Sequence, residues 1–219
     1  MRRIARFTGS LVLLFALALL SWGVCSCPRI LAEEPAKAVG PRADYFPKVT
    51  LKPHDDKGLN LLDDGGVDFY DLIKGNKTVV INVMYTRCDG ELCGQGMANL
   101  VKVQKALGDR LGKDVFMYSI TLDPEHDKPA VLKDYAETYK VKPGWTFLTG
   151  NAEDIEKLRR KLGFFDKDPK KDADRKQHSG MLKIGNEAID KWTSASILDK
   201  PERILEIIDR VQPPQRSKK

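Results

Sequence analysis

Two cysteines, Cys88 and Cys93, lie in the stretch Thr78–Leu100, which reads TVVINVMYTRCDGELCGQGMANL. A close thiol pair can bridge, cycle against a partner's disulfide, or bind a soft metal ion. A bridge here would close a loop of only six residues. Cross-linking so short a loop removes little unfolded-chain entropy, so the pair reads as chemical rather than structural. Its surroundings suit thiol chemistry. Val79–Tyr85 is an apolar, β-branched run of the kind that forms a strand buried on both faces. A turn holding both cysteines follows, and a helical pattern begins near Gly96. Backbone N–H groups at a helix start favour thiolate over thiol, and Arg87, next to Cys88, adds to that push.

The remaining elements must present this strand–turn–helix. Val49–Leu51 reads as a short strand, and Val67–Ile73 as a segment across the sheet end or a single helical turn. After the cysteines, Leu100, Val103, Leu107 and Leu111 recur at helical spacing, and Val115–Leu122 is a second buried strand. Asp123–Asp127 is an acidic turn, and Pro129 opens a helix whose buried face is Leu132, Tyr135, Ala136 and Tyr139. Trp145–Leu148 is a third strand; Asn151 caps a helix that Gly163 stops. Phe164–Gln177 is charged and irregular, and is expected to be a solvent-exposed loop. Met181–Ile184 and Ala188–Thr193 flank Gly185-Asn186-Glu187 as a β-hairpin, and Pro201 opens the last helix. The spacing of Met84, Met97, Met117 and Met181 makes them core fillers. Strand–helix alternation followed by a hairpin predicts an α/β, thioredoxin-like fold: a central mixed sheet flanked by helices, with a C-terminal β-hairpin.

The chain has 219 residues and a formal charge of +6. Its first 32 residues hold Arg2, Arg3, Arg6 and Arg29 and no acid, so the body is nearly neutral and no nucleic-acid partner is expected. Residues 1–32 read as an export leader or N-terminal membrane anchor: a basic start, the apolar run Leu11–Leu20, then small residues up to Ala32. Cys25 and Cys27 fall within it, in contexts that fit a lipidation site poorly. Whether the leader is cleaved, lipidated or retained is open at this level. The expected organisation is leader 1–32, linker 33–46, a thioredoxin-like domain 47–213 and a basic tail 214–219. The mature domain then holds two cysteines in an extracytoplasmic, oxidising compartment, on the periplasmic side of a membrane or secreted.

Several of these residues, taken in order, carry a resemblance. Tyr85-Thr86-Arg87-Cys88 leads into the pair, and Asp123-Pro124-Glu125-His126-Asp127 is followed by Pro129-Ala130-Val131-Leu132. Trp145-Thr146-Phe147-Leu148-Thr149-Gly150 comes next, then His178-Ser179 at the hairpin strand. The chain resembles the Sco/SenC proteins, thioredoxin-fold copper proteins that assist assembly of cytochrome c oxidase, over roughly Val49–Val211. The resemblance implies one copper ion, Cu(I) or Cu(II), held by Cys88, Cys93 and His178. It also implies a copper-accepting oxidase subunit, or another thiol protein, as partner. Three positions depart from the family pattern. Four residues rather than three separate the cysteines, Gly94 stands where the pattern has proline, and Gln177 replaces the usual acid before the histidine. On a regular helix, positions five apart lie about 140° round the axis, so a loop must absorb the extra residue, with Gly90 and Gly94 giving it freedom.

Two functions follow. One is an exported copper-binding protein, tethered through its N-terminal segment, that delivers copper or reducing equivalents to an oxidase. The other is a metal-free thiol–disulfide oxidoreductase in which one of Cys88 and Cys93 attacks and the other resolves. A family member with an inert site is the third option. The other histidines, His54 and His126, match no ligand position.

Overall fold

The computed structural model describes residues 40–174 and 180–213. The leader, residues 33–39, the tail 214–219 and the segment 175–179, which includes His178, lie outside the described residues. The strands are β1 (Thr50–Pro53), β2 (Val67–Asp68), β3 (Thr78–Met84), β4 (Val115–Thr121), β5 (Trp145–Gly150), β6 (Met181–Asn186) and β7 (Lys191–Ser196). The helices are α1 (Phe69–Ile73), α2 (Glu91–Leu107), α3 (Pro129–Thr138), α4 (Ala152–Leu162), α5 (Pro169–Ala173) and α6 (Pro201–Arg210). One seven-stranded sheet runs in the order β2-β1-β5-β4-β3-β6-β7. Its centre, β3-β4-β5, is parallel, and β1 and β6 flank it antiparallel. The mixed, helix-flanked sheet is the one expected from the strand–helix alternation.

Every residue of β3 is buried. The period of two sorts its side chains into two cores. Val80 and Met84 join the core beneath α2, α3 and α6, while Val79, Ile81 and Val83 join the core beneath α1 and α4. Met84, Met97 and Met117 are buried in the first core, as their spacing indicated. Asn82 is the polar exception in β3. Ser119 on β4 donates to its Oδ1 at 2.7 Å, and Trp145 on β5 donates to the Ser119 hydroxyl at 2.9 Å. That buried chain of hydrogen bonds crosses all three parallel strands, where each polar group needs a partner.

Three local readings are corrected. Helix α2 starts at Glu91, not near Gly96. Residues 164–174 are exposed over most of their length, as expected, but they are not wholly irregular. Phe164 is buried, α5 forms, and Arg159 on α4 clasps Asp172 at 2.6 and 2.9 Å, with the Asp172 side chain only 8% exposed. Such a two-pronged arginine–carboxylate pair can pin a charged segment that otherwise stays exposed. The hairpin also exists in a shifted register, because β6 continues through Asn186 and a 3-10 turn over Glu187–Ile189 makes the connection.

That turn receives residues 40–46. Glu187 is buried and its Oε1 accepts from the Arg42 N–H at 2.7 Å and the Tyr70 hydroxyl at 3.1 Å. Tyr70 in turn accepts from the Gly40 N–H at 2.7 Å, and Phe46 packs on Phe69 and Trp192. Val79 pairs with Gly185, so the Glu187 turn lies beside the start of β3, whereas the cysteines follow its end. Residues 40–46 therefore dock at the pole opposite the thiol pair, about 20 Å away along the strand. Among the described residues no helix is long and apolar enough to cross a membrane. A Glu187→Ala substitution leaves the Arg42 N–H and the Tyr70 hydroxyl without their acceptor. It is expected to cost about 2 kcal/mol in urea denaturation; an unchanged midpoint would contradict this role.

Candidate redox and metal centre

The parallel strands β3, β4 and β5 all end at one pole, and the cysteines sit there. Cys88 lies in the turn after β3, with its N–H directed to the Tyr85 carbonyl at 3.3 Å. Gly90 is the N-cap of α2 in extended conformation (φ −78°, ψ 145°), and Cys93 occupies the first helical turn. Cys88 and Cys93 form a disulfide with a Cα–Cα separation of 6.1 Å, within the usual span of such bridges.

The six-residue arc thus brings both sulfurs to one point. The 140° offset of a straight helix does not apply, because only Cys93 is helical. The extra residue is absorbed by an extended N-cap that any residue can adopt. Left-handed freedom at Gly90 or Gly94 is not used, since neither has positive φ. A Cβ added to Gly90 would lie 3.9 Å from each sulfur, which places this residue directly against the bridge.

The electrostatics differ from the expectation at one residue. Arg87 does not act on Cys88 as a lone cation. Its guanidinium pairs with Asp123 at 2.6 Å, and that pairing raises the Arg87 pKa. Asp123 is nearly buried while Arg87 is 61% exposed, so water screens the outer partner. Asp89 and Glu91, within the arc, are exposed. The helix N-terminus remains the feature favouring negative charge on sulfur.

The acidic turn does more than lead into α3. Asp127 is fully buried and accepts from the Thr86 N–H at 3.0 Å, from the Thr121 hydroxyl at 2.5 Å, and from the Thr86 hydroxyl. These bonds fasten the loop that leads into Cys88. Sequence reasoning missed them because Thr86 and Asp127 are 41 residues apart. The pattern of a threonine two residues before the cysteine and a second acid after the turn was visible, but nothing local joined the two. Asp127 is not a helix cap either; Lys128 holds that position.

Of the histidines, His54 is committed elsewhere. Its Nδ1 accepts from the Phe147 N–H at 3.0 Å, and burial lowers its pKa. His126 is exposed on the turn after β4. Among the described residues no group of three His, Cys, Asp or Glu side chains is arranged to hold a metal. Two converging thiols are by themselves a soft donor set of the kind Cu(I) accepts. A cleft of about 700 Å³ opens between Pro124, Ile155, Arg160 and Phe165 and does not include the cysteines.

A parallel core with its cysteine pair where the strand β3 gives way to a helix defines a thioredoxin-like thiol protein. More narrowly, the chain belongs to the SCO1/SenC family, whose profile matches residues 54–215. It is 35% identical to a SCO1 protein homolog of Bacillus subtilis over 80 residues, which is 36% of this chain and 40% of that relative. The same fold occurs in BsSco, described as having a disulfide switch and as a member of the Sco family of cytochrome c oxidase assembly proteins. That comparison has a TM-score of 0.60 and 22% identity, and covers 78% of this chain and 94% of the other. Bradyrhizobium japonicum ScoI with copper bound matches with a TM-score of 0.56 and 22% identity, over 80% and 99% of the two chains.

Because the bridged loop is short, opening it should be tolerated. Reduction, or a paired Cys88→Ser and Cys93→Ser change, is expected to lower stability by no more than about 2 kcal/mol. Far-UV circular dichroism should be unchanged. Loss of the folded state on reduction would show the bridge to be structural.

Proposed function

We propose that this protein handles copper during assembly of a respiratory cytochrome c oxidase, on the extracytoplasmic side of a membrane to which its N-terminal segment attaches it. Copper is the cargo, and Cys88, Cys93 and His178 are its ligands. The observation that carries this reading is the convergence of both sulfurs at the amino end of α2, despite the longer spacing between them. Family membership supports the oxidase context.

His178 enters as a ligand on the family resemblance. Gly180 lies against Leu92, a residue of the arc: a Cβ on Gly180 would approach the Leu92 side chain to 3.1 Å. The described chain therefore resumes against the arc that carries the pair.

The disulfide form cannot take up the ion. Two electrons and two protons from a dithiol protein convert the bridge to two thiols. The attacking thiolate forms a mixed disulfide with one cysteine, and the donor's second thiol releases it. Cu(I) then binds as the thiols lose their protons. When bound, copper supplies a soft, redox-active centre; the chain's part is to hold two sulfurs and one imidazole within reach of a single ion.

The disulfide itself favours a second reading, a metal-free thiol–disulfide oxidoreductase using the same pair. An anaerobic Cu(I) titration of the wild type and of the Cys88→Ser, Cys93→Ser and His178→Ala variants separates the two. Copper handling requires one-to-one binding that is lost in each cysteine variant and weakened about tenfold or more in His178→Ala. Binding indifferent to His178, with a reduction potential in the range of catalytic dithiols, favours thiol exchange. Neither binding nor exchange would overturn both.

A further inference from the structure

The two halves of the thiol pair are fixed by different means. Cys93 is part of the first turn of α2, whose packing in the core through Met97, Leu100 and Val103 sets its place. Cys88 lies outside the helix, in the turn after β3. While the disulfide is closed, the bond itself holds Cys88. Once it opens, the position of Cys88 depends on what restrains the loop Tyr85–Asp89.

Three hydrogen bonds to one carboxylate contribute to that restraint. One oxygen of Asp127 accepts from the Thr86 N–H at 3.0 Å and the Thr121 hydroxyl at 2.5 Å, and the other accepts from the Thr86 hydroxyl. Asp127 is itself held in the turn, its N–H bonded to the Asp123 carbonyl at 2.8 Å, and the Asp123 N–H is bonded to the Thr121 hydroxyl at 2.9 Å. These three donors converge on an acceptor with 0% exposure, where the low dielectric strengthens hydrogen bonds. The Arg87–Asp123 pair also reaches the loop, but its outer partner is solvated and holds more weakly.

We propose that Asp127 is a positioning residue that holds the Cys88 thiol against Cys93 in the reduced protein. It thereby sets both the reduction potential of the pair and its affinity for a soft metal ion. The effective concentration of one thiol about the other governs how readily the bridge closes. With the loop pinned, both closing the disulfide and clasping an ion are nearly free of ordering cost. With it released, both pay that cost. The metal-affinity half of this inference rests on the copper reading above; the potential half does not.

The test uses the full chain with Asp127→Asn, Thr86→Val and Thr86→Ser. The asparagine keeps the size but replaces one acceptor oxygen by an NH2 group, so one of the three donors loses its acceptor or must turn to accept instead. Glutathione equilibration reads the potential: as the bridge opens, two glutathione thiols become one disulfide. Competition with a chromophoric chelator reads Cu(I) affinity. Asp127→Asn should lower the equilibrium constant for closing the bridge about tenfold, an upward shift of about 30 mV for this two-electron couple. Cu(I) affinity should fall by a similar factor. Thr86→Val should lie between, at about threefold, and Thr86→Ser, which keeps both donors, should match the wild type.

A folded Asp127→Asn protein with wild-type potential would overturn the proposal. If that variant does not fold, Thr86→Val decides alone, and an unchanged potential there has the same force. Wild-type protein that binds no Cu(I), with the shift in potential still seen in Asp127→Asn, removes the copper reading and leaves the role of Asp127 standing.

Discussion

The constraint on which the centre depends is geometric: an arc of six residues must turn back far enough for its two end sulfurs to meet. It succeeds because the arc is half loop and half helix. Cys88 belongs to the turn that closes β3, Cys93 to the first turn of α2, and Gly90 is the extended joint between them. Had α2 begun one turn earlier, both cysteines would be helical and their side chains would diverge. The start of α2 is therefore as decisive for the chemistry as the cysteines themselves.

The rest of the fold holds the two sides of that joint. The parallel strands β3, β4 and β5 end together, so the loop after β3 and the turn after β4 are neighbours. Asp127 and Asp123 use that adjacency to hold Thr86 and Arg87. At the other pole, Glu187 receives the backbone of Arg42. Residues 40–46 and the thiols thus occupy opposite ends of the central strand.

Much of this was legible in the sequence because its signals are local. The β-branched run of β3, the Asn151 cap, Pro129 and Pro201 at helix starts, and the left-handed stop at Gly163 each act within one turn of chain. The start of α2 was misread for a physical reason. Its first turn is partly exposed and carries no apolar stripe, so periodicity announces the helix only where Met97 and Leu100 reach the core. The clasp of Arg159 on Asp172, and the bonds of Asp127 to Thr86, join residues 13 and 41 positions apart. Charge in a sequence looks the same whether it will face water or a distant donor. The proposed ligand set came from the family resemblance, and neither composition nor spacing could have given it.

The most direct measurement of the central claim is X-ray absorption spectroscopy at the copper edge on the reduced full chain loaded with one equivalent of Cu(I). Two sulfur scatterers and one imidazole about each ion, in a monomer, are expected. Coordination by one sulfur, or by thiols drawn from two chains, would mean that the arc does not present its sulfurs to a common ion.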